Sequence, residues 1–122
     1  MNTGFAAGDK YFQNKSIFKT TDQGSTWFEL TSIPDSNFRS IFFIDANTGF
    51  AGGYYGSLYK TTNSGQSWIQ ILLQHSIIIR DIRFINSTTG FISSSQASIY
   101  KTTNTGVNWN RVNFNRNDGY LF

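Results

Sequence analysis

The chain has no cysteine and only one proline, one methionine and one histidine among its 122 residues. Without a thiol there is no disulfide scaffold, no thiolate zinc site and no cysteine nucleophile. The compartment stays open, since many secreted bacterial proteins also lack cysteine. His75 stands alone and reads as a loop residue, so neither a histidine metal cluster nor a Ser/His/Asp triad can be assembled. Charge is sparse as well, at 14% of residues and a net +3 spread along the chain rather than gathered in a stripe. No nucleic-acid partner is expected from that pattern. The longest apolar candidate, Ile71 to Ile79, is interrupted by Gln74, His75 and Ser76. It falls short of the ~18 residues of a membrane-spanning helix, so no membrane insertion is expected. Met1-Asn2-Thr3 does not open a signal peptide, which needs a basic segment and an apolar core. Either the protein is cytoplasmic or its true N-terminus lies further upstream.

Aromatic residues, by contrast, are abundant: 12 Phe, 6 Tyr and 3 Trp, or 17% of the chain. With so few charges, that composition drives collapse rather than disorder, and the length is that of one domain at most.

A repeat organises these residues. Thr20-Thr21-Asp22-Gln23-Gly24-Ser25-Thr26-Trp27 recurs as Thr61-Thr62-Asn63-Ser64-Gly65-Gln66-Ser67-Trp68. It returns again as Thr102-Thr103-Asn104-Thr105-Gly106-Val107-Asn108-Trp109, with the tryptophans 41 residues apart each time. Lys19, Lys60 and Lys101 keep the same step, as do Arg39 and Arg80, Ile41 and Ile82, and Phe43 and Phe84. Thr-Gly-Phe occurs at 3–5, 48–50 and 89–91, spaced 45 and then 41, so the first unit carries four extra residues, placed at about Gly8 to Lys15. Within one unit the pattern predicts four short strands, in the second Phe38 to Ile44, Phe50 to Tyr54, Ser57 to Lys60 and Ser67 to Leu73. Asp45, Asn47, Gly49, Gly56, Asn63 and Gly65 between them tolerate the backbone of tight hairpins. Four antiparallel strands per ~40 residues are the arithmetic of a propeller blade. The expected fold is all-β, about three blades.

Thr20-x-Asp22-x-Gly24-x-Thr26-Trp27 resembles the Asp-box, or bacterial neuraminidase repeat, at every defining position. Units two and three depart from it at Asn63 and Asn104, and unit three also at Asn108. The Gly-Phe-Ala-Gly-Gly and Leu-Tyr-Lys-Thr-Thr segments within 49–62 are similar, more specifically, to propellers of the photosystem II assembly and stability factor type. Read from the residues, the box is a folding device. A short Asp or Asn side chain accepts N–H groups about two residues on, the glycine supplies positive φ, and the Trp covers the hairpin. Thr20, Asp22, Gly24, Thr26, Trp27, Thr61, Asn63, Gly65, Ser67, Trp68, Thr102, Asn104, Gly106, Asn108 and Trp109 are therefore assigned structural roles. Asp22, the one carboxylate among them, is weak evidence for a cation, and no metal or cofactor is assigned. The lysine ladder is expected on the solvent side of the third strands, discouraging edge pairing.

The phase of the repeat divides the chain into a first blade, strands two to four, at 2–33, a second at 37–74, a third at 78–115, and the start of a further strand at 118–122. Three blades are fewer than the 4 to 8 of closed propellers. Three readings follow: a segment of a longer, exported or secreted bacterial protein; copies that close a ring; or an open arc. Functional surfaces of propellers lie at the end carrying the loops between strands two and three and between blades. There the sequence puts Arg39 and Arg80 at matching positions, with Arg116, Tyr54, Tyr55, Asp9, Lys10 and Tyr11. Paired guanidinium groups suit carboxylates, a sialic acid or an acidic peptide, or else bridge neighbouring blades. The photosystem-factor resemblance implies an arginine-lined face for a protein partner. A sialidase would need three arginines, a Tyr and Glu pair and an Asp acid, whereas Asn37-Phe38-Arg39-Ser40 half matches its arginine segment and Glu29 is the sole Glu. Asp9, Asp35, Asp45, Asp81 and Asp118 single out no carboxylate pair, and Asp81 is expected to pair with Arg80. The expected function is a non-catalytic scaffold for a protein partner. A fragment of a glycan-active propeller and a self-assembling blade array are the alternatives.

Overall fold

The computed structural model describes residues 2–10, 13–33, 38–73 and 77–112, with the backbone alone at 9, 10 and 13–16. Its strands are β1 (Gly4–Lys10), β2 (Gln13–Thr20), β3 (Phe28–Glu29), β4 (Phe38–Phe43), β5 (Gly49–Gly53), β6 (Ser57–Thr61), β7 (Ile69–Leu72), β8 (Ile79–Phe84), β9 (Gly90–Ser94), β10 (Ser98–Thr102) and β11 (Asn110–Arg111). They form three sheets in chain order, β1-β2-β3, β4-β5-β6-β7 and β8-β9-β10-β11. Every pairing within them is antiparallel. The four strands expected in the second unit are present within one or two residues of the expected limits. In the first unit the added length goes into the hairpin itself, since β1 and β2 run 7 and 8 residues where β5 and β6 run 5 each.

The Thr-Gly-Phe motif has a packing reason. Gly49 pairs with Phe43 and Gly90 with Phe84, and the innermost aromatic ring lies over the glycine. A Cβ built on Gly49 or Gly90 would stand 2.6 or 2.7 Å from that ring. The alternation of a strand then sends successive side chains to opposite faces. Ala51 and Tyr59 join Ile17, Ile33 and Phe38 in one buried layer, against the first sheet. Phe50 and Leu58 join Ile77, Ile79, Ile82, Ile92 and Tyr100 in the other, against the third sheet. The second sheet is thus covered on both faces, and β5 is buried throughout. Each such large apolar side chain contributes on the order of 1.5–3 kcal/mol.

The contact between sheets repeats with the sequence. Phe5 stacks on Phe43 with centroids 3.7 Å apart, and Phe50 stacks on Phe84 at 5.0 Å. Two members of the lysine ladder, Lys19 and Lys60, are not turned to solvent as the sequence suggested, whereas Lys101 is exposed. Lys19 Nζ donates to the Ser64 carbonyl at 2.9 Å, and Lys60 Nζ to the Thr105 carbonyl at 2.8 Å, each crossing to the turn of the next sheet. Burial lowers the Lys60 pKa. Nearer the inner strands the Ile82 N–H donates to Ser40 Oγ at 3.1 Å, tying β8 to β4.

Candidate functional site

The two ends of the sheets carry different chemistry. At one end lie the hairpin turns β2–β3, β6–β7 and β10–β11, built alike from unlike residues. Thr20 Oγ1 accepts the N–H groups of Asp22 (3.3 Å) and Gly24 (2.9 Å). Thr61 does the same for Asn63 and Gly65, and Thr102 for Asn104 and Gly106, at 3.3 and 2.9 Å each. The Asx residue then accepts the N–H four residues on: Thr26 to Asp22 at 2.8 Å, Ser67 to Asn63 and Asn108 to Asn104 at 2.9 Å. The turn therefore divides the labour expected of one side chain. Threonine, buried in all three copies, closes the near bonds, and Asp or Asn the far one. The Trp27 and Trp109 indoles donate to the Gly24 and Gly106 carbonyls at 3.1 and 3.0 Å, whereas Trp68 Nε1 is buried without a partner among the described residues.

Asp22 receives most from Thr26, whose hydroxyl donates at 2.5 Å and whose N–H adds a second bond, with the Thr20 hydroxyl next. These donors lower its pKa from 3.8 to about 2. Asp45, in the β4–β5 turn, is lowered by the N–H groups of Thr48 and Asn47. Carboxylates satisfied in this way are turn components. Among the described residues no three His, Cys, Asp or Glu side chains gather to hold a metal.

The opposite end carries the arginines. In the β4–β5 ladder Phe38 pairs with Gly53 and Ser40 with Gly52, so Arg39 is an extra residue that opposes nothing. In the β8–β9 ladder Ile79 pairs with Ser94 and Asp81 with Ser93, leaving Arg80 in the same position. Both arginines are bulge residues, exposed between more buried neighbours. A bulge re-aims a side chain in this way. Beside Arg39 a 3₁₀ turn over Tyr54–Gly56 joins β5 to β6, with its Gly56 N–H bonded to the Ile77 carbonyl at 2.6 Å. Arg39 Nη1 donates to Tyr54 Oη at 3.1 Å, and its guanidinium carbon lies 5.8 Å from the centre of that ring. Tyr55 is 79% exposed and holds φ 61, a left-handed backbone that a bulky residue rarely adopts. Arg80 lines a shallow groove with Ser93, Ser94, Ser95, Gln96 and Ala97. It makes no hydrogen bond or ion pair among the described residues. The Asp81 carboxylate turns instead to Arg83 Nε at 3.1 Å, so the expected Arg80–Asp81 pair is not formed.

Arg39, Arg80, Tyr54 and Tyr55 thus share one end of the second and third sheets. Lys10 closes β1 with its side chain outside the described set, and Tyr11 and Arg116 lie outside the described residues, as do His75, Asp35, Asp118 and the strand start expected at 118–122. The sequence reading missed the bulges and the groove over 93–97. No sequence signal marks a single extra residue in a strand, although an arginine amid apolar alternation is its residue-level trace.

No family model and no curated protein matches the chain. Solved structures do match. YCF48 bound to D1 peptide is 30% identical with a TM-score of 0.70, over 81% of this chain and 34% of that one. The GH74 enzyme of Niastella koreensis is 20% identical with a TM-score of 0.72, over 92% of this chain and 21% of that one. YCF48 from Cyanidioschyzon merolae is 23% identical with a TM-score of 0.59, over 79% of this chain and 30% of that one. The chain spans about a third or less of the length of each. These neighbours are β-propellers, and the three sheets are a partial propeller of the same kind.

Proposed function

We propose that the chain is a non-catalytic propeller segment, its domain limits those of the three sequence units, that binds a protein partner across the arginine end of the blades. The observation that carries this reading is the pair of bulges that lifts Arg39 and Arg80 out of two consecutive ladders at the same register. Inner-strand arginines so placed meet a carboxylate-bearing, extended peptide with little rearrangement. Tyr54 holds Arg39 in position, and exposed Tyr55 adds an apolar surface. The 30% identity to a propeller recorded with a bound peptide supports a peptide ligand. In this reading the three turns are Asp-boxes that brace the opposite end, and the parent protein is exported. A glycan-active fragment rests on likeness of fold alone. Moreover, Asp22 and Asp45 have lowered pKa values, where a glycosidase acid needs a raised one.

The test is fluorescence anisotropy of a labelled Asp/Glu-rich peptide titrated with the chain. Arg39→Ala/Arg80→Ala should weaken binding by about tenfold or more, since a charge-assisted hydrogen bond is worth about 1.5–3 kcal/mol. Added salt should weaken the unsubstituted chain in the same direction. Equal affinity of the double variant would overturn the assignment of the face.

A further inference from the structure

We infer that copies of this chain dock head to tail, the outer face of the third sheet receiving the turn of a second copy's first sheet. The joint already exists twice within the chain. In each instance a lysine crosses to a turn carbonyl, Lys19 to Ser64 and Lys60 to Thr105. In each an aromatic from the same sheet, Phe5 or Phe50, covers the glycine that follows, Gly65 or Gly106. The lysine also stands over that aromatic ring, at 5.5 Å for Lys19 on Phe5 and 5.7 Å for Lys60 on Phe50.

Among the described residues both halves of a third joint are present and unmated. On the third sheet Lys101 stands over Phe91 at 5.8 Å, in the pose of its two counterparts, and is exposed. No hydrogen bond from Lys101 is formed among the described residues. On the first sheet the turn has the receiving geometry already. Gln23 and Gly24 hold φ 62 and 90, beside 61 and 85 at Ser64-Gly65 and 58 and 78 at Thr105-Gly106. Around a Cβ built on Gly24 the nearest neighbours among the described residues are atoms of Trp27 alone, whereas Leu30 and Phe5 press on Gly65 and Phe50 on Gly106. Trp27 is 47% exposed beside this gap, while Trp68 and Trp109 are half-buried in the two formed joints. The cation and ring at one edge match the carbonyl and glycine at the other in kind and register. A contact between unlike edges is heterologous, and two such contacts between two copies bring six sheets together, within the 4 to 8 of closed propellers.

Light scattering after size exclusion on the 122-residue chain, at tens of micromolar, tests this. The expected mass is twice the 13.8 kDa of one chain. Lys101→Met removes the cation and keeps the stem. Gly24→Asn fills the gap with a residue that tolerates left-handed backbone. Each variant should raise the dissociation constant by about tenfold or more while keeping its near-ultraviolet circular dichroism. An equimolar mixture of the two variants keeps one intact Lys101 and one intact Gly24 on different copies, and should associate more tightly than either alone. A monomer for the unsubstituted chain, a dimer indifferent to both substitutions, or a mixture no tighter than its components would each overturn the inference.

Discussion

Asp22 occupies the same position as Asn63 and Asn104 and makes the same backbone bond, yet it alone titrates. Its pKa is lowered from 3.8 to about 2 by the Thr26 hydroxyl and N–H, so the folded chain holds its proton more weakly than the unfolded one. Such a group adds stability above about pH 4, and the contribution disappears as pH falls through 2. Asp22→Asn should therefore melt below the unsubstituted chain at pH 5, with the gap closing by pH 2, as thermal melts across that range will read. The asymmetry was legible in the sequence, which shows one Asp and two Asn in identical frames. The acceptors were less so. Thr20, Thr61 and Thr102 carry the near hydrogen bonds and are buried in every turn. A threonine in a polar run gives no sign of burial until the chain closes above it.

At the level of the element, the hairpin turn is a unit that fixes the strand pair it joins. Thr102→Val keeps shape and volume but leaves the Gly106 N–H without its acceptor at a buried position, and the Asn104 N–H without it at a part-buried one. An unmet buried donor costs about 1–3 kcal/mol. The expected loss by chemical denaturation is of that size, and amide exchange should rise first in β10–β11. Strand existence and order were readable because period-two alternation and turn residues agree across the units. The bulges at Arg39 and Arg80 were not, since one added residue shifts a register without changing composition. The lysine bridges were hidden for another reason. Lys19 and Lys60 reach partners 45 residues away, one full period and a turn beyond themselves, so the bond belongs to the next unit and cannot appear in the pattern of their own.

For the whole molecule, coverage is uneven in a way the repeat conceals. The second sheet contributes to both buried layers, and the first and third to one each. Stability in arrays of this kind is a sum over units and the joints between them, so it should peak in the middle. Hydrogen exchange should find β5 and β6 most protected, and β1, β3 and β11 first to open, in the isolated chain at low concentration. Protection of equal depth in all three sheets would contradict that ordering. The propeller arithmetic was plain from a 41-residue step. The inequality of its three units was not, because it depends on neighbours rather than on residues.

The bulges have a consequence for how this surface changes. A side chain inside a ladder is bound to the alternation of its strand, and altering it disturbs either a core contact or a cross-strand partner. Arg39 and Arg80 oppose no residue. They are positions where the chain speaks outward with no residue opposite them in the ladder. The lettering at those two places can be rewritten, one residue at a time, while the grammar of the fold stays as it is.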